Sequence, residues 1–151
     1  MKIIVDAMGG DYAPDEIVKG ALLARQDFDV EIVLVGREAE IRRTLPQQGS
    51  QALPEGIQIV AASEVVEMED DPATVIRQKK DASMVVGLRM LHDGAADAMV
   101  SAGSTGALLS GATLITKRIR GIRRAALAPV MPSPVSYTHL DVYKRQVSGC
   151  S

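Results

Sequence analysis

The sequence predicts an α/β protein: a doubly wound, mostly parallel sheet with helices on both faces, a Rossmann-like three-layer sandwich. Two observations carry this. Short apolar runs alternate along the chain with amphipathic helical stripes, the order expected of strand–helix–strand units. The apolar runs are also continuous rather than alternating in and out, as strands covered on both faces require.

In chain order, the predicted strands are Ile3-Ile4-Val5, Val30 to Val35, Ile57 to Ala61, Ala98-Met99-Val100 and Ala125 to Val130. Between the first two, Ile17, Ala21, Ala24 and Phe28 recur at helical spacing, with Asp15, Glu16 and Lys19 off the stripe. Ile41 and Leu45 form a shorter stripe beside a Glu38–Arg42 pair at i,i+4. Met84, Val85, Leu88 and Leu91 make a third stripe, and Leu108, Ala112, Ile115 and Ile119 a fourth. The Gly-, Ser- and Pro-containing stretch from Gln47 to Gly56 reads as a surface loop.

Composition narrows the functional classes. The chain has 151 residues, 46% of them apolar, enough for one domain with a real core. A net charge of −2 with no single-signed run gives no footprint for nucleic acid or an anionic membrane. No apolar stretch is long enough to span a bilayer, and MKIIVDAMGG is too short in its apolar run for a signal peptide. One Cys allows no internal disulfide framework, so the default compartment is the cytoplasm.

Two segments carry the chemistry. Asp6-Ala7-Met8-Gly9-Gly10-Asp11 follows the first strand directly, and Ala13-Pro14-Asp15-Glu16 then opens a helix. The glycines permit a tight turn and close backbone approach to a ligand. Pro14 suits a first helical position, and the two acids suit the positive end of the helix dipole. The carboxyl end of a strand in an open parallel sheet is where ligands bind. The plainer reading is a Gly-Gly turn with Asp11 as a local cap. The spacing is neither that of a dinucleotide fingerprint nor that of a Walker loop. Asp6, Asp11 and Asp15 around a turn do not by themselves call for a metal, so no metal or cofactor is expected.

The second segment is Ser101-Ala102-Gly103-Ser104-Thr105-Gly106-Ala107-Leu108, between the fourth strand and a helix. Small residues let backbone N–H groups turn toward an oxyanion at a helix start, and Ser101, Ser104 and Thr105 add hydroxyl donors. Alternatively, Ser104 or Thr105 simply caps the helix. A weaker third feature is Arg77-Gln78-Lys79-Lys80-Asp81-Ala82-Ser83-Met84. There Asp81 reads as a cap, and the cations read either as a solvated turn or as a contact for phosphate or an acidic carrier protein. No Ser-His-Asp or Cys-His arrangement is present.

The last segment departs from the pattern. VSYTHLDVYKRQVSGCS, residues 135–151, has neither a helical stripe nor a strand-like run, and VSYTHLDVYKRQ resembles translated adapter sequence. It is read as a non-native, disordered tail following an α/β part of residues 1–134. His139, Tyr143 and Cys150 accordingly receive no functional role.

DAMGGDYAPDE, ASEVVEMEDDPATVIRQKKDASM and ADAMVSAGSTGALLSGA resemble, in order and approximate spacing, the phosphate acyltransferases of phospholipid synthesis. The resemblance runs from Met1 to about Pro134, with Ser104 standing where the family usually has Asn. It implies acyl transfer from acyl carrier protein to inorganic phosphate, giving an acyl phosphate, without a cofactor. It also implies substrate-binding roles for Asp6, Gly9, Gly10, Asp11, Arg77, Lys80, Ser101, Gly103, Ser104, Thr105 and Gly106. The family's chains continue well beyond this length, so the α/β sheet is expected to be truncated and the piece inactive alone. The resemblance further implies a homodimer at full length and peripheral membrane association through a downstream glycerol-3-phosphate acyltransferase. An acyl-coenzyme A phosphate acyltransferase and a non-catalytic phosphate-binding α/β module stay open as alternatives.

Overall fold

The computed structural model describes residues 1–46, 49, 52–122, 125, 130–131 and 139–140. Four parallel strands, β1 (Lys2–Asp6), β2 (Glu31–Gly36), β3 (Ile57–Ala61) and β4 (Ala98–Val100), form one sheet in the order β3-β2-β1-β4. The helices are α1 (Asp15–Asp27), α2 (Glu38–Thr44), α3 (Val75–Gln78), α4 (Ser83–His92) and α5 (Thr105–Gly111), the last continuing as a π-helical turn over Ala112–Thr116.

Strand periodicity explains both the continuous apolar runs and the two helical layers. In β2, Ile32 and Leu34 point to one face and pack with Val18, Ala21, Leu22, Ile41 and Leu45 of α1 and α2. Val33 and Val35 point to the other face, joining Ile4 and, from α4, Val86 and Met90. Both faces are dry, so both sets must be apolar. The Glu38–Arg42 pair forms at 2.7 Å on the outer side of α2.

Two stripes differ from the sequence expectation. In α1 the fully buried positions are Val18, Ala21 and Leu22, while Ile17 and Ala24 are half-buried and Phe28 is 63% exposed. The helix lies over β1 and β2, and its Ile17–Ala24–Phe28 flank faces an open apolar groove of about 470 Å³ floored by Ile3, Val5 and Val100. In the fourth stripe, Ile119 lies beyond the helix, which ends where Lys117 takes a φ of 69°.

The fifth expected strand, Ala125 to Val130, falls mostly outside the described residues. Its last residue belongs to β5 (Val130–Met131), which pairs antiparallel with β6 (His139–Leu140) and does not join the parallel sheet. The remainder of the proposed tail also lies outside the described residues.

Candidate active site

The two glycine-containing turns meet because β1 and β4 are parallel neighbours, with Val5 opposite Val100. Both strands therefore release their chains at the same edge of the sheet. Asp6 lies two residues beyond Ile4, and Ser101 two beyond Met99, so both side chains share the α4 face. There the Asp6 carboxylate, 2% exposed, accepts hydrogen bonds from three donors. Ser83 Oγ, at the start of α4, donates to Oδ1 at 2.6 Å, and Met8 N donates to the same oxygen at 3.2 Å. Ser101 Oγ donates to Oδ2 at 2.8 Å and in turn accepts from Gly103 N at 3.2 Å. Three chain segments far apart in sequence are thus tied to one buried group, which meets the requirement that buried polar atoms be hydrogen-bonded.

The turns touch so closely that only glycine fits. A Cβ on Gly9 would sit 2.8 Å from Gly103 N and 2.9 Å from Asp6 Oδ2. Gly10 adopts a φ of 110°, a conformation glycine takes without strain, and lies against Ala102.

Of the three hydroxyls in the second turn, two already have partners inside the protein. Ser101 serves Asp6, and Ser104, 6% exposed, caps α5 by accepting from Ala107 N at 3.4 Å. Ser104 therefore follows the plainer of its two sequence readings. Thr105 is exposed and lines a cleft of about 530 Å³ with Gly10, Ala102 and Gly103. Gly106 packs against Pro72 instead. Two carboxylates, Asp11 and Glu67, also line this cleft, and among the described residues no cationic side chain does.

The far wall is the segment after β3, Val65 to Met68, whose participation nothing in its local pattern announces. It is anchored through its neighbours. Ser63 N and Oγ donate to Asp81 Oδ2 at 2.9 and 2.5 Å, Glu64 bridges to Ala82, and Lys79 Nζ donates to Val65 O at 2.9 Å and Asp70 Oδ2 at 2.5 Å. Asp81 thus does not cap α4, whose N-cap is Ala82; it holds Ser63 instead. The Ser63 hydrogen bonds lower the Asp81 pKa, and the hydrogen bond from Lys79 lowers that of Asp70.

Arg77 and Lys80 do not line this cleft. Both border a separate hollow with Arg89. Ser83 and the Val65–Met68 wall are the contributors that sequence reasoning missed. Ser83 stood within a noted segment, but nothing local signals its contact with a carboxylate 77 positions away. Among the described residues, no group of His, Cys, Asp and Glu is arranged to hold a metal ion. No helix there is long and apolar enough to cross a membrane.

Together these features define an open parallel α/β protein with a glycine-lined cleft at the carboxyl edge of its sheet. The chain belongs to the fatty acid synthesis protein family, whose sequence model matches residues 1–147. It is 50% identical over 133 residues to a phosphate acyltransferase of Desulfitobacterium hafniense, covering 88% of this chain and 39% of that protein. It is 48% identical over 140 residues to the phosphate acyltransferase of Pelotomaculum thermopropionicum, covering 93% and 40% respectively. The chain therefore spans about two-fifths of the length of these curated relatives. Among solved structures, a phosphotransacetylase from Streptococcus pyogenes matches with a TM-score of 0.68 and 20% identity, over 92% of this chain and 45% of that one. That likeness is one of fold.

Proposed function

We propose that the protein to which this chain belongs transfers a fatty acyl group from acyl carrier protein to inorganic phosphate, giving an acyl phosphate for phospholipid synthesis. The observation that carries the reading is the 50% identity to a phosphate acyltransferase over 88% of the chain. In this reaction a phosphate oxygen attacks the thioester carbonyl, the new C–O bond forms, the C–S bond breaks, and the thiol leaves with the proton. No enzyme nucleophile is required, so the protein's task is to align phosphate and stabilise the tetrahedral oxyanion. The cleft offers the backbone of Gly10, Ala102 and Gly103 and the Thr105 hydroxyl for that purpose.

On this reading the chain supplies only part of the site. With Asp11 and Glu67 on its lining and no cation, it repels a phosphate dianion unless positive charge is added. We assign that charge to the remainder of the longer protein, which on this reading works as a cytoplasmic homodimer. The test is to measure acyl phosphate, trapped as a hydroxamate, from acyl carrier protein thioesters and phosphate, using the sequence continued to its relatives' length. Turnover with carrier-protein thioesters but not coenzyme A thioesters supports the reading. Turnover with coenzyme A thioesters alone moves it to the sister reaction, and phosphate binding without turnover reduces the protein to a binding module.

A further inference from the structure

Arg77, Lys80 and Arg89 surround a hollow of about 540 Å³ whose remaining lining is Ile76, Leu114 and Ile115. Among the described residues no carboxylate lines it and none of the three cations forms an ion pair. Three unneutralised cations around one apolar depression stand out in a chain whose net charge is −2. Arg89 is held in place, donating from Nη1 to the backbone carbonyl of Lys80 at 3.1 Å. Leu114 is 47% exposed, leaving apolar surface open inside the cationic ring.

From this arrangement we infer that the hollow docks an acidic protein surface, its carboxylates meeting Arg77, Lys80 and Arg89 and an apolar side chain entering against Leu114 and Ile115. The charge complementarity favours an acidic protein face over a lone phosphate, which would leave the apolar floor unused. This inference rests on the proposed function and identifies the acidic partner with the carrier protein that delivers the acyl group.

The position suits delivery. The hollow and the cleft lie along one helical element: Thr105 starts α5 at the cleft, and Leu114 lies on its π-helical continuation at the hollow. Nine residues separate them, about 14 Å of rise along the helix axis. Docking at the hollow keeps the acidic partner out of the cleft that Asp11 and Glu67 line.

Chemical-shift mapping of this chain with holo acyl carrier protein, at low and at about 0.15 M ionic strength, tests the inference. Perturbations are expected around Ile76, Arg77, Lys80, Arg89 and Ile115, weakening with salt. The triple variant R77E/K80E/R89E is expected to bind at least tenfold more weakly, while K19E/R42E/R43E, with the same net charge, stays within twofold. Equal losses in both variants, or perturbations elsewhere, overturn the docking site. The single variant Arg77→Gln provides a milder check should the triple variant fold poorly. In the extended protein, the charge-reversed variant should raise KM for the carrier thioester and leave kcat unchanged. Unchanged KM with normal turnover sinks the docking inference alone. Absent turnover from any thioester sinks the function instead, and the shift map then decides docking by itself.

Discussion

Ser101 Oγ donates a 2.8 Å hydrogen bond to Asp6 Oδ2, joining the ends of two adjacent parallel strands across 95 positions of sequence. This contact, with the matching one from Ser83, makes the Asp6 carboxylate the tie point of the cleft floor. Asp6 is buried in this network and is not among the residues that line the cleft. Asp6→Asn replaces one acceptor oxygen with an amide donor, so one serine hydroxyl that now donates must turn its proton away and accept instead. The variant is expected to lose about 1–3 kcal/mol of stability in urea unfolding. An unchanged midpoint and slope would show that the second acceptor oxygen of Asp6 contributes nothing to the fold.

Gly9→Ala should be costly and Gly20→Ala beneficial, although both replace one hydrogen by a methyl group. At Gly9 the methyl meets Gly103 backbone, Asp6 and Ser101 within 3.0 Å, and none of these is a free side-chain end. A loss of about 1–3 kcal/mol is expected. Gly20 lies inside α1 with nothing within 4 Å of its Cβ direction, so alanine should add about 0.5–1 kcal/mol. Thermal melts of the two variants check the pair.

Thr105 and Ser104 should separate function from stability. Thr105→Val removes the one turn hydroxyl that lines the cleft, and it should raise KM for phosphate about five- to tenfold in the extended protein. Its unfolding free energy should stay within about 0.5 kcal/mol of wild type. Ser104→Ala should do the reverse, costing about 1 kcal/mol of stability through the lost cap. Steady-state kinetics beside denaturant titrations would expose an exchange of these roles.

Asp70 and Lys79 predict an acid-side loss of stability. The Lys79 hydrogen bond lowers the Asp70 pKa in the folded protein, so folding favours the charged carboxylate. The contribution is complete above the unfolded value of about 3.9 and disappears as pH falls through the lower folded value. Asp81 follows the same sign through Ser63. Carboxyl-carbon NMR should find Asp70 titrating below ordinary aspartates, and Lys79→Met should move it upward. An unmoved Asp70 in that variant would show that Lys79 is not the cause.

The sheet was legible because its strands are dry on both faces, and β2 could be read directly from its uninterrupted Ile32–Val35 run. The meeting of the two turns followed from parallel connection rules, which place both at one sheet edge. What failed to show depends on partners distant in sequence. The buried stripe of α1 is set by where the helix sits over β1 and β2, which left Ile17 and Phe28 beside the open groove. Asp81 has the composition of a cap, yet its carboxylate is drawn to Ser63, 18 positions earlier. Arg77 and Lys80 read from sequence either as a solvated turn or as a contact for phosphate or an acidic carrier protein, and the fold places them at a hollow apart from the cleft.

Titrating this chain with inorganic phosphate while following its backbone amides tests the central claim most directly, namely that the cleft between the two turns is the phosphate site. Saturable shifts are predicted at Gly10, Ala102, Gly103 and Thr105, with a dissociation constant of about 1 mM or weaker because Asp11 and Glu67 oppose the anion. Asp11→Asn should tighten that binding. Shifts gathered instead around Arg77, Lys80 and Arg89, with the turn amides unmoved at saturating phosphate, would contradict the account.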